Sequence, residues 1–122
     1  MMEVFRGGEL VCRASVAETF LSRLRGLMLR AELKPEEGLL IEYSPRFRSR
    51  AVHSMFMRFP IDLVFLDSEK RVVDTATLRP WRFYDPGCDC RWVLELQEGA
   101  VEKRGIKKGD LLRFEMSERK RR

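Results

Sequence analysis

Asparagine is absent from the 122 residues, glutamine occurs once, at Gln97, and histidine once, at His53. Scarce amides beside a charged fraction of 35% give a thermophile-like composition, in which ionic groups replace heat-labile side chains. With one histidine, any imidazole proton transfer or metal ligation has to use His53. Cys12, Cys88 and Cys90 are too few for a disulfide framework, and the odd count suits free thiols in a reducing compartment. No apolar run reaches the roughly 18 residues of a membrane-crossing helix. The stretch Met1 to Gly8 has neither the basic start nor the apolar run of a signal peptide, so a cytoplasmic protein without a membrane partner is expected. G-x-S-x-G, H-E-x-x-H, Walker and G-x-G-x-x-G motifs are all missing, which removes the usual anchors of hydrolase, metalloprotease and nucleotide chemistry. No catalytic residue, metal or cofactor is assigned on motif grounds.

What is present is enough apolar material, 44% with 10% aromatic, for one core. The expectation is a single β-rich domain over 1–116 followed by a basic tail, 117–122. The net charge is +5, but the tail carries four bases and one acid, so the body is only mildly basic. Such a run is more often a solvated tail than a binding arm.

Gly7-Gly8 between Val4-Phe5-Arg6 and Glu9-Leu10-Val11-Cys12 predicts an opening β-hairpin. Ser15-Val16-Ala17-Glu18 has capping-box spacing, and Val16, Phe20 and Leu24 share one face before Gly26, which predicts a helix over Val16 to Arg25. Beyond Gly38 the apolar period shortens: Gly38 to Tyr43, Ala51 to Met57, Ile61 to Leu66, Arg71 to Leu78, Trp92 to Leu96 and Leu111 to Met116 read as strands. Pro and Gly-Asp turns separate them, and Glu98 to Gly105 suits one helical turn. The expected fold is therefore mainly β (α+β): a compact antiparallel β-sandwich or barrel-like domain with one short N-terminal helix.

An unbroken strand through Phe47 to Met57 would align His53, Met55 and Met57 on one face and Arg46, Arg48 and Arg50 on the other. Imidazole and thioethers in a row suit Cu(I), although two core-filling methionines and a hydrogen-bonded histidine are the simpler assignment. Cys12, Cys88, Cys90 and His53 are the residue types of a structural zinc site, but C-x-C spacing is too tight for a zinc knuckle. Asp62, Asp67, Glu95 and Asp110 sit among apolar neighbours, where a carboxylate must face outward, bond to backbone donors, pair with arginine or line a cleft. Asp110 in Lys108-Gly109-Asp110 suits a turn.

Several blocks then come together in order: Arg25-Gly26-Leu27-Met28, Gly38 to Ile41, His53 to Met57, Ile61-Asp62-Leu63-Val64-Phe65-Leu66-Asp67, Val93 to Gly99 and Gly105 to Asp110. Over about residues 10 to 115 the chain resembles the domain-of-unknown-function 192 family, also called uncharacterised protein family 0127. The resemblance implies a compact, mostly β domain of archaea and bacteria with no assigned activity. It places Arg25, Gly26, Met28, Met57, Asp62, Asp67, Glu95 and Gly109-Asp110 at recurring motif positions. Many bacterial relatives read Trp-Met-Lys-Asn where this chain reads Phe56-Met57-Arg58-Phe59.

Three functions follow as expectations. The first is a non-enzymatic domain binding a small molecule or a protein in a pocket of Arg25, Met28, His53, Met55, Met57, Asp62 and Glu95, since an apolar floor with a few polar groups suits a small ligand. The second is nucleic-acid binding by Arg46, Arg48, Arg50, Arg58 and the tail, with Phe47 and Phe56 able to stack. The third is an enzyme with His53 as acid or base, oriented by Asp62 or Glu95.

Overall fold

The structure is a computed structural model that describes residues 1–17, 33–43, 52–54 and 57–116, His53 by its backbone alone. β1 (Met2–Arg6) and β2 (Glu9–Ala17) form the expected hairpin: Arg6 pairs with Glu9, and Gly7 takes the positive φ that the tight turn needs. There follow β3 (Glu37–Glu42), β4 (Val52–His53), β5 (Ile61–Leu66), β6 (Val72–Leu78), β7 (Phe83–Tyr84), β8 (Trp92–Gln97), α1 (Ala100–Arg104) and β9 (Leu112–Met116).

Seven strands make one sheet in the order β6-β5-β8-β3-β2-β1-β9, and β4 pairs with β7 as a separate ribbon. The sheet curls until its two edge strands meet at one end. There Arg71 bridges Leu111, Val72 N–H donates to the Asp110 carbonyl at 2.8 Å, and Leu112 N–H to the Lys70 carbonyl at 2.9 Å. A mainly β, barrel-like curl with one short helix is thus the architecture among the described residues.

Three local expectations are corrected. Ser15, Val16 and Ala17 do not start a helix; they extend β2 and pair with Leu39, Leu40 and Ile41 of β3. A capping box satisfies two backbone donors, whereas continuing β2 beyond Ala14, where the β1 ladder ends, pairs all three residues along β3. Residues 18–25 of the expected helix lie outside the described residues. The β2/β3 pair is also parallel, against the antiparallel expectation, and the 18–36 connection has the length that a parallel crossover needs. Finally, the strand expected over Ala51 to Met57 is only Val52–His53, because Met57 N–H turns back to the Ser54 carbonyl at 3.2 Å. His53 and Met57 therefore do not stand in one strand ladder.

The curl has two apolar faces. Inside lie Val4, Cys12, Ala14, Leu40, Val64, Leu66, Leu94, Leu96 and Leu112, closed by Ala100 and Ile106. Outside, β3, β5, β6 and β8 present Leu39, Ile61, Leu63, Phe65, Leu78 and Val93, covered by Leu33, Val52, Met57 and Cys90, with Tyr84 packed against them. The ribbon lies over this outer face: Val52 joins its core, and the Tyr84 ring sits 5.7 Å from that of Phe65.

Candidate functional site

Two carboxylates are buried in the sheet, Asp62 at 3% exposure and Glu95 at 0%. Strand register decides whether they meet. Asp62 pairs with Leu96 and Leu63 pairs with Glu95, so Asp62 shares the inner face with Leu96 while Glu95 shares the outer face with Leu63 and Leu39. Asp62 is therefore removed from the expected common pocket, because the sheet itself separates it from Glu95. Both of its oxygens are engaged by the fold as well. One oxygen accepts the Thr77 hydroxyl at 2.8 Å, and the other accepts Gly99 N–H at 3.1 Å and Val101 N–H at 3.0 Å. Gly99 has no side chain with which to cap α1, so a strand residue supplies the acceptor that helix N-termini require. At the other end of α1, Arg6 donates to the Arg104 carbonyl at 2.6 Å and to the Gly105 carbonyl at 2.8 Å.

The other acids are turn formers. Asp67 accepts the N–H groups of Glu69 and Arg71, each at 2.9 Å, and Asp110 accepts Lys107 N–H at 2.9 Å. That backbone bond, with Arg6 beside it, holds the Asp110 carboxyl below the usual carboxylate range.

Glu95 remains at the centre of the outer face. Met57 belongs to the apolar layer over that face, as does the buried Leu33. Arg25, Met28 and Met55 lie outside the described residues, as do Arg46, Arg48, Arg50 and the tail. His53 enters through its backbone, paired with Phe83. The Cys₃His set is divided: Cys12 is inside the curl, where burial pushes its thiol up to about 12, Cys90 belongs to the outer layer, and Cys88 is exposed. Among the described residues, no three of His, Cys, Asp and Glu gather as a metal site. Nor is any helix there long and apolar enough to cross a membrane.

The sequence reading missed Ser54. It is fully buried, and all of its polar groups serve the turn from Arg79 to Arg82. Its N–H donates to the Arg82 carbonyl, its carbonyl accepts Trp81 N–H, and its Oγ accepts Arg82 N–H, each at 2.9 Å, while its hydroxyl donates to the Arg79 carbonyl. Within that clamp Trp81 holds φ at 62°, a left-handed value that an L side chain rarely adopts. Trp81 is 53% exposed and Phe83 70%, with Arg79 and Arg82 exposed beside them. The available signal was a lone serine in an apolar run and the Arg-Pro-Trp-Arg-Phe alternation at 79–83.

With this geometry in view, a family model for DUF192, described as an uncharacterized ACR, matches residues 2–114. The chain belongs to the DUF192 family. A UPF0127 protein of Pyrococcus furiosus is 37% identical over 115 residues, covering 93% of this chain and 97% of the relative. One of Thermococcus gammatolerans is 35% identical, covering 86% of this chain and 68% of that protein. Among solved structures, a protein of unknown function from Novosphingobium aromaticivorans superposes with a TM-score of 0.77 at 25% identity, over 92% of this chain and 82% of its own. A Sinorhizobium meliloti protein gives 0.80 at 24% identity, over 93% and 94%, a likeness of fold alone. The DUF192 family is one of uncharacterised proteins, which agrees with the resemblance drawn from the motif blocks.

Proposed function

We propose that this DUF192 protein is a non-enzymatic binding domain that takes a small polar ligand on the outer face of its sheet, with Glu95 as the buried acceptor. The observation that supports this reading is the position of Glu95: a carboxylate at 0% exposure on a face otherwise built of Leu39, Leu63, Phe65 and Val93. Removing a carboxylate from water costs several kcal/mol, and an apolar side chain in its place would often be as stable or more so. A carboxyl group placed at the middle of an apolar face suits recognition of a ligand donor. A carboxylate offers about four acceptor positions, so Glu95 can be engaged within the protein and still receive a donor from a ligand. Arg25, Met28, His53, Met55 and Met57 complete the proposed pocket, and Asp62 has no part in it.

Native mass spectrometry of gently purified protein tests the proposal. The wild type is expected to carry a stoichiometric small-molecule adduct that Glu95→Gln lacks, while the variant still unfolds in one cooperative transition. An adduct retained by the variant, or none on the wild type, sinks the reading.

A further inference from the structure

We infer that the turn from Arg79 to Phe83 is a contact surface for single-stranded nucleic acid, with Trp81 and Phe83 stacking on bases and Arg79 and Arg82 neutralising phosphates. The inference goes beyond the small-ligand pocket, since these side chains are exposed on the ribbon while Glu95 lies in the sheet beneath it.

A non-glycine residue at φ 62° costs about 1 kcal/mol or more, and Trp81 is a large aromatic held there while half exposed. Glycine would take the same turn without strain, as Gly7, Gly87 and Gly109 do at positive φ; among the described residues only Lys70, at φ 69°, shares with Trp81 a positive φ on a residue other than glycine. Fixing the turn also commits a wholly buried hydroxyl, that of Ser54, to Arg79 and Arg82. The Ser54 clamp thus holds a strained turn that leaves an indole half exposed, with a more exposed phenyl ring two residues further along.

The charge around those rings selects the partner. Between Asp74, which accepts the Tyr84 hydroxyl, and Asp85, which accepts Gly87 N–H, the chain carries two arginines and no acid, and exposed Arg58 follows the residue 54–57 turn that holds the clamp. Flat rings alternating with guanidinium groups match a strand of unpaired bases on a phosphate backbone: every base offers a π-face, and every phosphate a charge. A membrane-inserting patch would need aliphatic side chains beside the aromatics, whereas Val16, Leu111 and Met116, the exposed aliphatics among the described residues besides Met1, belong to β2, β9 and the residue before β9. An acidic protein surface could meet the arginines but has no need of two stacking rings.

The test is a fluorescence-anisotropy titration of a dye-labelled single-stranded RNA 12-mer with the full chain at low salt. A saturable rise in anisotropy is expected, with affinity falling as salt rises. Arg79→Ala and Arg82→Ala should each reduce the salt slope by about one phosphate contact. Trp81→Gly is the decisive variant, because glycine fits φ 62° and the protein should melt no lower than the wild type while affinity drops roughly tenfold or more. Phe83→Ser gives a second measure outside the strained position. Three results overturn the inference: no saturable binding at low salt, unchanged binding by folded Trp81→Gly and Phe83→Ser, or binding to anionic vesicles with none to RNA. Because Glu95→Gln leaves this turn intact, RNA binding by that variant separates failure of the pocket from failure of this surface.

Discussion

The inner and outer faces of the curled sheet each bury one carboxylate, yet they treat it differently. Inside, Asp62 meets three donors and ties β6 and α1 to β5. Outside, Glu95 lies in a layer of leucines, phenylalanine and valine under a two-stranded ribbon. Asp62, held by three donors of its own fold, is a structural part, whereas Glu95 sits on the face where the binding site is proposed. The surrounding secondary structure follows the same division. Every strand of the seven contributes to the inner core, while the outer core draws on four of them and on short loop contacts.

The largest effect expected from breaking this contrast is on Asp62. Asp62→Ala leaves two helix N–H groups and the Thr77 hydroxyl without their acceptor and should lower stability by about 3 kcal/mol in urea denaturation. Asp62→Asn should recover most of that, since an amide oxygen can serve both N–H groups while its NH₂ donates to Thr77. Glu95→Gln, which keeps the shape of the side chain and one oxygen acceptor, should cost less than Asp62→Ala. Equal losses at Asp62→Ala and Glu95→Gln would mean that the two faces use their acids alike.

A middle-sized effect sharpens the inner face. A Cβ on Gly38 would lie 2.8 Å from Cys12 Sγ and 3.2 Å from Leu96, so Gly38→Ala should cost about 2 kcal/mol. Adding Cys12→Ala should return part of it, and a double-mutant cycle with no coupling would show that the sulfur is not the obstacle.

The smallest effect belongs to the ribbon. Tyr84 donates its hydroxyl to Asp74, and that bond, followed by burial, pushes its pKa from about 10 up to about 12. Because the folded value is raised, the stabilisation is complete below about pH 10 and is lost as pH climbs toward 12. Tyr84→Phe should abolish that part of the alkaline slope in denaturation curves, and an unchanged slope would remove Tyr84 from the anchoring of the ribbon.

Much of the sheet was legible from residue pattern. Ile61 to Leu66 and Trp92 to Leu96 carry dense apolar runs between strong turn formers, and the hairpin at Gly7-Gly8 has a local signal. Alternation within one strand says which residues share a face, but not which face of β5 matches which face of β8. For that reason Asp62 and Glu95 could be imagined together until register placed them apart. The ribbon was only half visible: Phe83–Tyr84 is too short to show a period, and Ser54 acts through tertiary bonds that no local pattern encodes.

β1 lies between β2 and β9, joining residues 2–6 to both 9–14 and 112–116. On the ribosome the opening hairpin therefore waits, one edge unpaired, until the strand more than a hundred residues downstream has emerged. Such a distant closing contact raises the contact order and should make folding slow and post-translational, with the early hairpin exposed to strand-seeking partners for the whole of synthesis.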